Sequence, residues 1–195
     1  MQINILLMRK LSMDELNRKS LEEFSGSEKF PVIAVLENVR SAYNVGSVFR
    51  TADAFLIEEV ILVGYTATPP HKEIAKTALG AESVVSWTHF SKAEEAIHYL
   101  KKLDYLVLGV EQTSESVQLD QLDHFVKHKV AFIFGNEVSG VDQKTLELCD
   151  GLLEIPQFGT KHSLNISVAA GVVLWEAVKN SPMFIKINNG QDHLH

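Results

Sequence analysis

The run Val130-Ala131-Phe132-Ile133-Phe134 is apolar at all five positions and passes directly into Gly135-Asn136-Glu137-Val138-Ser139-Gly140. A strand with one face in water alternates apolar and polar side chains, whereas a strand apolar throughout is buried on both faces, as in a parallel sheet covered by helices. Working outward, residues 32–36, 60–63, 84–87, 105–110 and 152–155 are further short strand-like runs. Helical stretches separate them, near residues 45–55, 73–79, 92–102, 119–126 and 143–148, with a long one over 164–179. Parallel strands need crossover connections, and these are usually helices, so the repeated order predicts an α/β fold: a mostly parallel six-stranded sheet flanked by helices.

The chain has 195 residues, 46% of them apolar, which suits one compact domain. Its 18 Lys+Arg against 25 Asp+Glu give a formal charge of −7, which excludes a globally basic nucleic-acid coat but not a locally basic site. No apolar run approaches the ~18 residues of a membrane span, and the N-terminus carries no signal-peptide pattern, so a soluble cytoplasmic protein is expected. Cys149 is the only cysteine, which leaves no intramolecular disulfide and no thiolate metal cluster; its expected role is that of a small buried hydrophobe.

The organisation reads as a short helical extension over 1–29, a domain over 30–180 and a peripheral tail over 181–195. In the extension, Ser12 and Glu15 have capping-box spacing and Leu11 and Leu16 the spacing of a hydrophobic staple, predicting a helix over 13–24 that Ser25-Gly26-Ser27 ends.

Ligands of open parallel sheets bind at the carboxyl ends of strands, so the segments after the strands are where chemistry is expected. After residues 32–36 comes Asn44-Val45-Gly46-Ser47-Val48-Phe49-Arg50-Thr51-Ala52-Asp53. Asn44 is a candidate N-cap, Gly46 would let a ligand or backbone approach, and Arg50 either faces a ligand or simply pairs with Asp53. In the Gly135 to Gly140 segment, Gly135 could admit a flat ligand, while Glu137 and Ser139 offer a carboxylate and a hydroxyl. A third segment, from Ile155-Pro156 through Ser163-Leu164-Asn165-Ile166-Ser167-Val168-Ala169, enters a helix whose first polar groups suit an anion. Ser167, Ala169, Ala170 and Gly171 keep that helix small-featured, so another helix or chain could pack closely, although Val168, Val172 and Trp175 equally make the stripe of an ordinary core helix.

Other familiar signatures are missing. No G-x-G-x-x-G follows a strand, Gly159-Thr160-Lys161 is not a phosphate loop, and there is no G-x-S-x-G elbow. His124 and His128 share helical spacing but lack a third ligand, so no metal is expected.

Together, and in this order and spacing, the three segments resemble the signature motifs of the SPOUT superfamily, in its SpoU/TrmH class of RNA ribose 2′-O-methyltransferases, over roughly residues 31–179. That resemblance implies a C-terminal deep trefoil knot, an exception to the rule against threaded chains. It further implies S-adenosyl-L-methionine as donor and S-adenosyl-L-homocysteine as product, and a homodimer in which motif-one residues of one chain complete the pocket of the other. The matching donor-binding positions are Val110, Glu111, Gly135, Asn136, Ile155 and Leu164. Arg50 is the expected catalytic residue, with Asn44, Glu137, Ser163 and Asn165 around it.

A guanidinium stays protonated in proteins and is a poor general base, so Arg50 is better suited to stabilising the developing alkoxide, or to holding a phosphate that relays the proton, while Asn44 orients the ribose. Many relatives carry an additional N-terminal RNA-binding domain, which the 1–29 extension is too short to supply. Expected phosphate contacts are therefore Arg9, Lys10, Arg18, Lys19, Arg40, Lys72, Lys76 and Lys161. The resemblance implies an RNA partner, transfer or ribosomal RNA. The alternatives are a base methyltransferase of the same fold, a non-catalytic RNA-binding dimer and a nucleotide-dependent oxidoreductase.

Overall fold

The computed structural model describes residues 9–12, 15, 19–124, 129–160 and 163–191. Its strands are β1 (Phe30–Glu37), β2 (Ile57–Val63), β3 (Ser86–Phe90), β4 (Leu106–Val110), β5 (Val117–Gln118), β6 (Val130–Phe134) and β7 (Gly151–Glu154). The helices are α1 (Leu21–Gly26), α2 (Ala42–Ala54), α3 (Lys72–Ala78), α4 (Ala93–Lys102), α5 (Gln143–Leu148), α6 (Ile166–Asn180) and α7 (Pro182–Gln191). One sheet in the order β3-β2-β1-β6-β4-β7-β5 pairs every neighbour in parallel.

The sheet therefore has seven strands rather than the expected six. The additional one, β5, is two residues long and pairs Val117 and Gln118 with Leu153 and Glu154, too short to carry any apolar periodicity. Val84 and Val85 do not open β3; they close a 3₁₀ turn over Ala81–Ser83, and Val85 is buried there. The segment after Asn180 is not irregular: Pro182, whose fixed φ and missing N–H suit a first helical position, starts α7. The stretch 119–126 is 3₁₀ helix over Leu119–His124, and residues 125–126 lie outside the described residues. Ser12 and Glu15 do exchange capping-box bonds, at 2.9 and 3.4 Å. Residues 13–14 and 16–18 of the expected 13–24 helix lie outside the described residues, and α1 starts behind a second capping box of Ser20 and Glu23. Phe24 of α1 is buried in the core, which ties this segment to the domain.

The all-apolar strands follow from burial on both faces. Val32, Ala34 and Leu36 of β1, with Val130, Phe132 and Phe134 of β6, pack against α2, α3 and α6. The intervening Ile33, Val35, Ala131 and Ile133 pack against α4 and α5. Each fully buried Ile, Leu or Phe contributes about 1.5–3 kcal/mol. On the first face, Gly46 lets α2 ride directly on α3: a Cβ there would meet the Ile74 carbonyl and the Thr77 hydroxyl. The close approach is thus filled by backbone, not by a ligand.

The strand order reverses at the centre of the sheet. From β1 the chain steps outward to β2 and β3, crosses back to β4, and later inserts β6 between β1 and β4. Carboxyl ends of β1, β6, β4 and β7 then lie side by side, which is where an open α/β sheet forms a crevice. Among the described residues no helix is long and apolar enough to cross a membrane.

Candidate active site

A cleft of about 460 Å³ opens at those strand ends, within the usual range for small-molecule sites. The segment after β4 contributes Val110, Glu111 and Gln112; the turn after β6 contributes Phe134 through Gly140; the loop after β7 gives Glu154, Ile155 and Gln157; and Ser163, Leu164, Asn165, Ile166 and Ala169 close it at the start of α6. All six expected donor-binding positions, Val110, Glu111, Gly135, Asn136, Ile155 and Leu164, line this one cleft, as do Glu137, Ser163 and Asn165. Gln112, Glu154 and Gln157 line it too, and sequence patterning did not single them out.

Gly135 is required by the shape of its turn. A Cβ there would collide with the backbone of Gly140 and Val141, so the absent side chain accommodates the returning loop rather than a flat ligand. Asn136 locks that turn: its Oδ1 accepts from the Val138 and Ser139 N–H groups at 2.8 and 3.1 Å. Its Nδ2 donates to the Asn38 carbonyl at 2.9 Å and to the Tyr65 hydroxyl at 2.8 Å. The turn after β6 is thereby sewn to the turns after β1 and β2.

Glu137 sits where that turn meets α2. Its carboxylate accepts from the Arg40 and Ser41 N–H groups at 3.0 and 3.1 Å and from Asn44 Nδ2 at 2.9 Å. Partial burial alone would raise its pKa, but the hydrogen bonds from Arg40, its own N–H, Asn44 and Ser41 outweigh that and hold it below the usual carboxylate range. Asn44 is not the N-cap of α2. Ser41 is, its Oγ accepting from the Asn44 N–H at 3.3 Å. Relieved of capping, the Asn44 amide bridges: beside its bond to Glu137, its Oδ1 accepts from Asn165 Nδ2 at 3.2 Å. Asn165 is itself the N-cap of α6.

Arg50 lies elsewhere. It is exposed in a second cleft of about 510 Å³ with Ser47, Thr51, Lys76, Thr77 and Ser167, and does not line the first. Among the described residues its guanidinium forms neither the Asp53 pair nor any other hydrogen bond or ion pair. Beside this cleft, the α6 stripe Val168, Val172 and Trp175 is exposed, with Leu164 ahead of it, while Ile166, Ala170, Val173, Leu174, Ala177 and Val178 make the buried side. The stripe is therefore not the core face. The Trp175 ring packs, tilted by 45° and 5.5 Å between centroids, against Phe55, another wall of the Arg50 cleft.

Of the expected phosphate contacts, Arg40 is exposed and reaches the first cleft only through its backbone N–H bond to Glu137, while Lys76 lines the second, 5.7 Å above the Tyr43 ring. Lys10, Lys19 and Lys72 are exposed, and Arg9 is paired with Glu15 at 2.5 Å. Arg18 and Lys161 lie outside the described residues, as does His128. Among the described residues no cluster of three or more His, Cys, Asp or Glu could hold a metal ion.

The first cleft has a definite chemistry. Glu111 accepts from Val141 N–H at 3.1 Å and Gln112 N–H at 3.0 Å, and Glu154 from Ser116 Oγ at 2.9 Å. Together with Glu137 these carboxylates face a wall of Val110, Phe134, Ile155, Leu164, Ile166 and Ala169. Such a lining fits a ligand that joins a flat apolar group to a cation, as an adenosyl sulfonium does.

Comparison with known proteins points the same way. Residues 31–175 match the profile of the SpoU rRNA Methylase family. The chain is 32% identical over 146 residues to the 23S rRNA (guanosine-2′-O-)-methyltransferase RlmB of Neisseria meningitidis serogroup B, covering 75% of this chain and 57% of that protein. It is 32% identical over 169 residues to RlmB of Ralstonia nicotianae, covering 87% of this chain and 64% of the relative. The chain thus spans roughly three-fifths of the length of these two relatives. Among solved structures, an AdoMet-bound rRNA methyltransferase from Sinorhizobium meliloti aligns with TM-score 0.71 and 27% identity, over 86% of this chain and 58% of that one. The A. aeolicus TrmH/SpoU tRNA modifying enzyme aligns with TM-score 0.74 over 87% of this chain and 82% of that one; at 23% identity this speaks for the fold.

Proposed function

Because the chain belongs to the SpoU rRNA Methylase family, we propose that it is an S-adenosylmethionine-dependent RNA methyltransferase acting on a ribose 2′-hydroxyl, with ribosomal RNA as the substrate class. The observation that carries this reading is the convergence of Glu111, Asn136, Glu137, Ile155, Leu164 and Asn165, from segments far apart in sequence, on one cleft at the strand ends.

When bound, S-adenosylmethionine supplies a methyl group on a sulfonium, open to in-line attack. The apolar wall takes the adenine, and the carboxylates of Glu111 and Glu154 favour the cationic end over neutral competitors. Glu137 and Asn165 hold Asn44 in position to orient the acceptor ribose. Arg50 stabilises the developing alkoxide as the 2′-hydroxyl passes its proton to water, directly or through a neighbouring RNA phosphate, and the donor leaves as the neutral thioether. Since Arg50 stands outside its own chain's cleft, it serves the cleft of a second copy. The exposed Leu164, Val168, Val172 and Trp175 stripe, continuous with the Arg50 cleft, supplies the apolar surface for that homodimer.

A deep trefoil knot formed by the 135–141 and 155–165 loops belongs to the same reading, as do a helical extension over 1–29, a tail beyond 180 and a cytoplasmic setting. Support for the knot is that both loops close on a single cleft.

The test is incubation with methyl-labelled S-adenosylmethionine and 23S rRNA, followed by digestion to nucleosides. Label in a 2′-O-methyl nucleoside is expected. Label on a base, or no transfer to ribosomal or transfer RNA, would overturn the assignment.

A further inference from the structure

Tyr65, in the turn after β2, is 64% exposed. A surface tyrosine ordinarily packs its ring and leaves its hydroxyl to water. Here the arrangement is inverted. The Tyr65 hydroxyl accepts a 2.8 Å hydrogen bond from Asn136 Nδ2, and its backbone N–H donates to Asn38 Oδ1 at 3.3 Å. Asn136 is only 9% exposed and has its remaining amide valences on the Asn38 carbonyl and the Val138 and Ser139 N–H groups. The ring is therefore tethered at both ends and still stands in solvent.

The tether connects directly to the proposed active site, because Asn136 lines the donor cleft and precedes Glu137. Cationic residues lie close to this turn along the chain. Arg40, exposed, lies two residues after Asn38, and Lys72 opens the helix that follows the turn. An exposed ring hydrogen-bonded to a residue that lines such a cleft matches the way single-stranded nucleic acid is held, with bases stacked on aromatic faces and phosphates on Lys and Arg.

From this geometry we infer that Tyr65 is the stacking platform for a nucleobase of the RNA substrate next to the ribose being methylated, a substrate-binding residue outside the family's motif positions. The inference deepens the methyltransferase reading and rests on it for the identity of the ligand. The inverted tether divides the side chain in two, the hydroxyl setting the direction of the ring and the ring face meeting the base.

The test uses the full chain and a short single-stranded RNA of mixed sequence carrying 2-aminopurine, whose fluorescence is quenched on stacking, alongside S-adenosylmethionine binding and labelled-methyl transfer to 23S rRNA. Tyr65→Ala should weaken RNA binding about tenfold, the scale of one lost base–aromatic stack, and relieve the quench. Its donor affinity, and the slope of RNA affinity against salt, should match wild type, since no phosphate contact is lost. Tyr65→Phe, which keeps the face but loses the hydroxyl bond that directs it, should bind between Tyr65→Ala and wild type. Unchanged RNA affinity and quench in Tyr65→Ala would overturn the inference. So would a Tyr65→Phe as weak as Tyr65→Ala, or a parallel loss of donor affinity, because either would place the effect in the Asn136 turn. Failure of the wild-type chain to transfer methyl to RNA would instead sink the enzymatic reading, while the quench still decides the stacking.

Discussion

The Glu137 carboxylate accepts from Asn44 Nδ2 at 2.9 Å, joining two residues 93 positions apart in the chain. The bond couples the turn after β6 to the first turn of α2, and Glu137 also accepts from Arg40 and Ser41 N–H groups there. Glu137→Gln keeps one acceptor oxygen and replaces the other by a donor facing N–H groups, so single-turnover methyl transfer should fall about 10–100-fold as Asn44 loses its orientation. Activity in the variant equal to wild type would remove Glu137 from the positioning network.

The same carboxylate gives a pH signature. Its folded-state pKa is held below the ordinary 4.5, so its contribution to stability is complete above that value and is lost as pH falls through the folded one. Thermal melts of wild type should therefore drop on acidification below about pH 4.5, and those of Glu137→Gln should drop less. Parallel curves would show that the hydrogen bonds contribute nothing net.

Arg50 offers a sharper test of where it acts. Arg50→Ala should lower single-turnover methylation at least ~100-fold, the scale of losing one transition-state donor, with donor binding retained. Mixing Arg50→Ala with Glu137→Gln then separates two architectures. If Arg50 serves a partner's cleft, half of the dimers carry one cleft with a native Glu137 and a native Arg50, and activity should recover to roughly a quarter of wild type. If Arg50 acts in its own cleft, every cleft in the mixture is defective and nothing is recovered.

Much of this fold was legible from burial on two faces: β1, β4 and β6 are near-continuous apolar runs, so their positions can be read from the local sequence. What stayed hidden lacks an apolar period. β5 is two residues held by pairing with β7, and α7 shows little amphipathic pattern around Asn188-Asn189-Gly190. Motif spacing located the cleft residues but misjudged local roles, the cap of α2 and the purpose of Gly135 among them. Asn44 carries the cap-forming side chain, yet Ser41 wins the cap three residues earlier and leaves Asn44 to the site. Glu37 gave no signal at all. It is a buried carboxylate at the end of β1, its pKa raised by burial, that accepts from Thr145 Oγ1 at 2.6 Å and the Asp142 N–H at 3.1 Å, and so docks the start of α5. Pairings across more than 90 residues of sequence leave no trace in local pattern.

Gly135→Ala tests the shape of the cleft. The added Cβ meets backbone at Gly140 and Val141, which cannot yield as a side chain tip would. Overpacking of this kind costs about 1–3 kcal/mol, so the melting temperature should fall and the affinity for S-adenosylmethionine should weaken about tenfold or more by calorimetry. Wild-type donor affinity would mean that the turn after β6 does not shape the donor site.

The α6 stripe makes a separable prediction about assembly. Val168 and Val172 are 51% and 40% exposed and belong to the side of the helix opposite the buried Ala170, Val173 and Leu174. A charge placed at Val172 therefore costs the isolated chain little, whereas in a dimer packed through this stripe it is buried without a partner. Val172→Glu should leave the far-ultraviolet circular dichroism unchanged and convert a dimer to a monomer by light scattering. Methylation should fall with it, since the monomer's cleft lacks an Arg50. A monomeric Val172→Glu that methylates at the wild-type rate would place Arg50 in its own chain's reaction and end the case for a shared site.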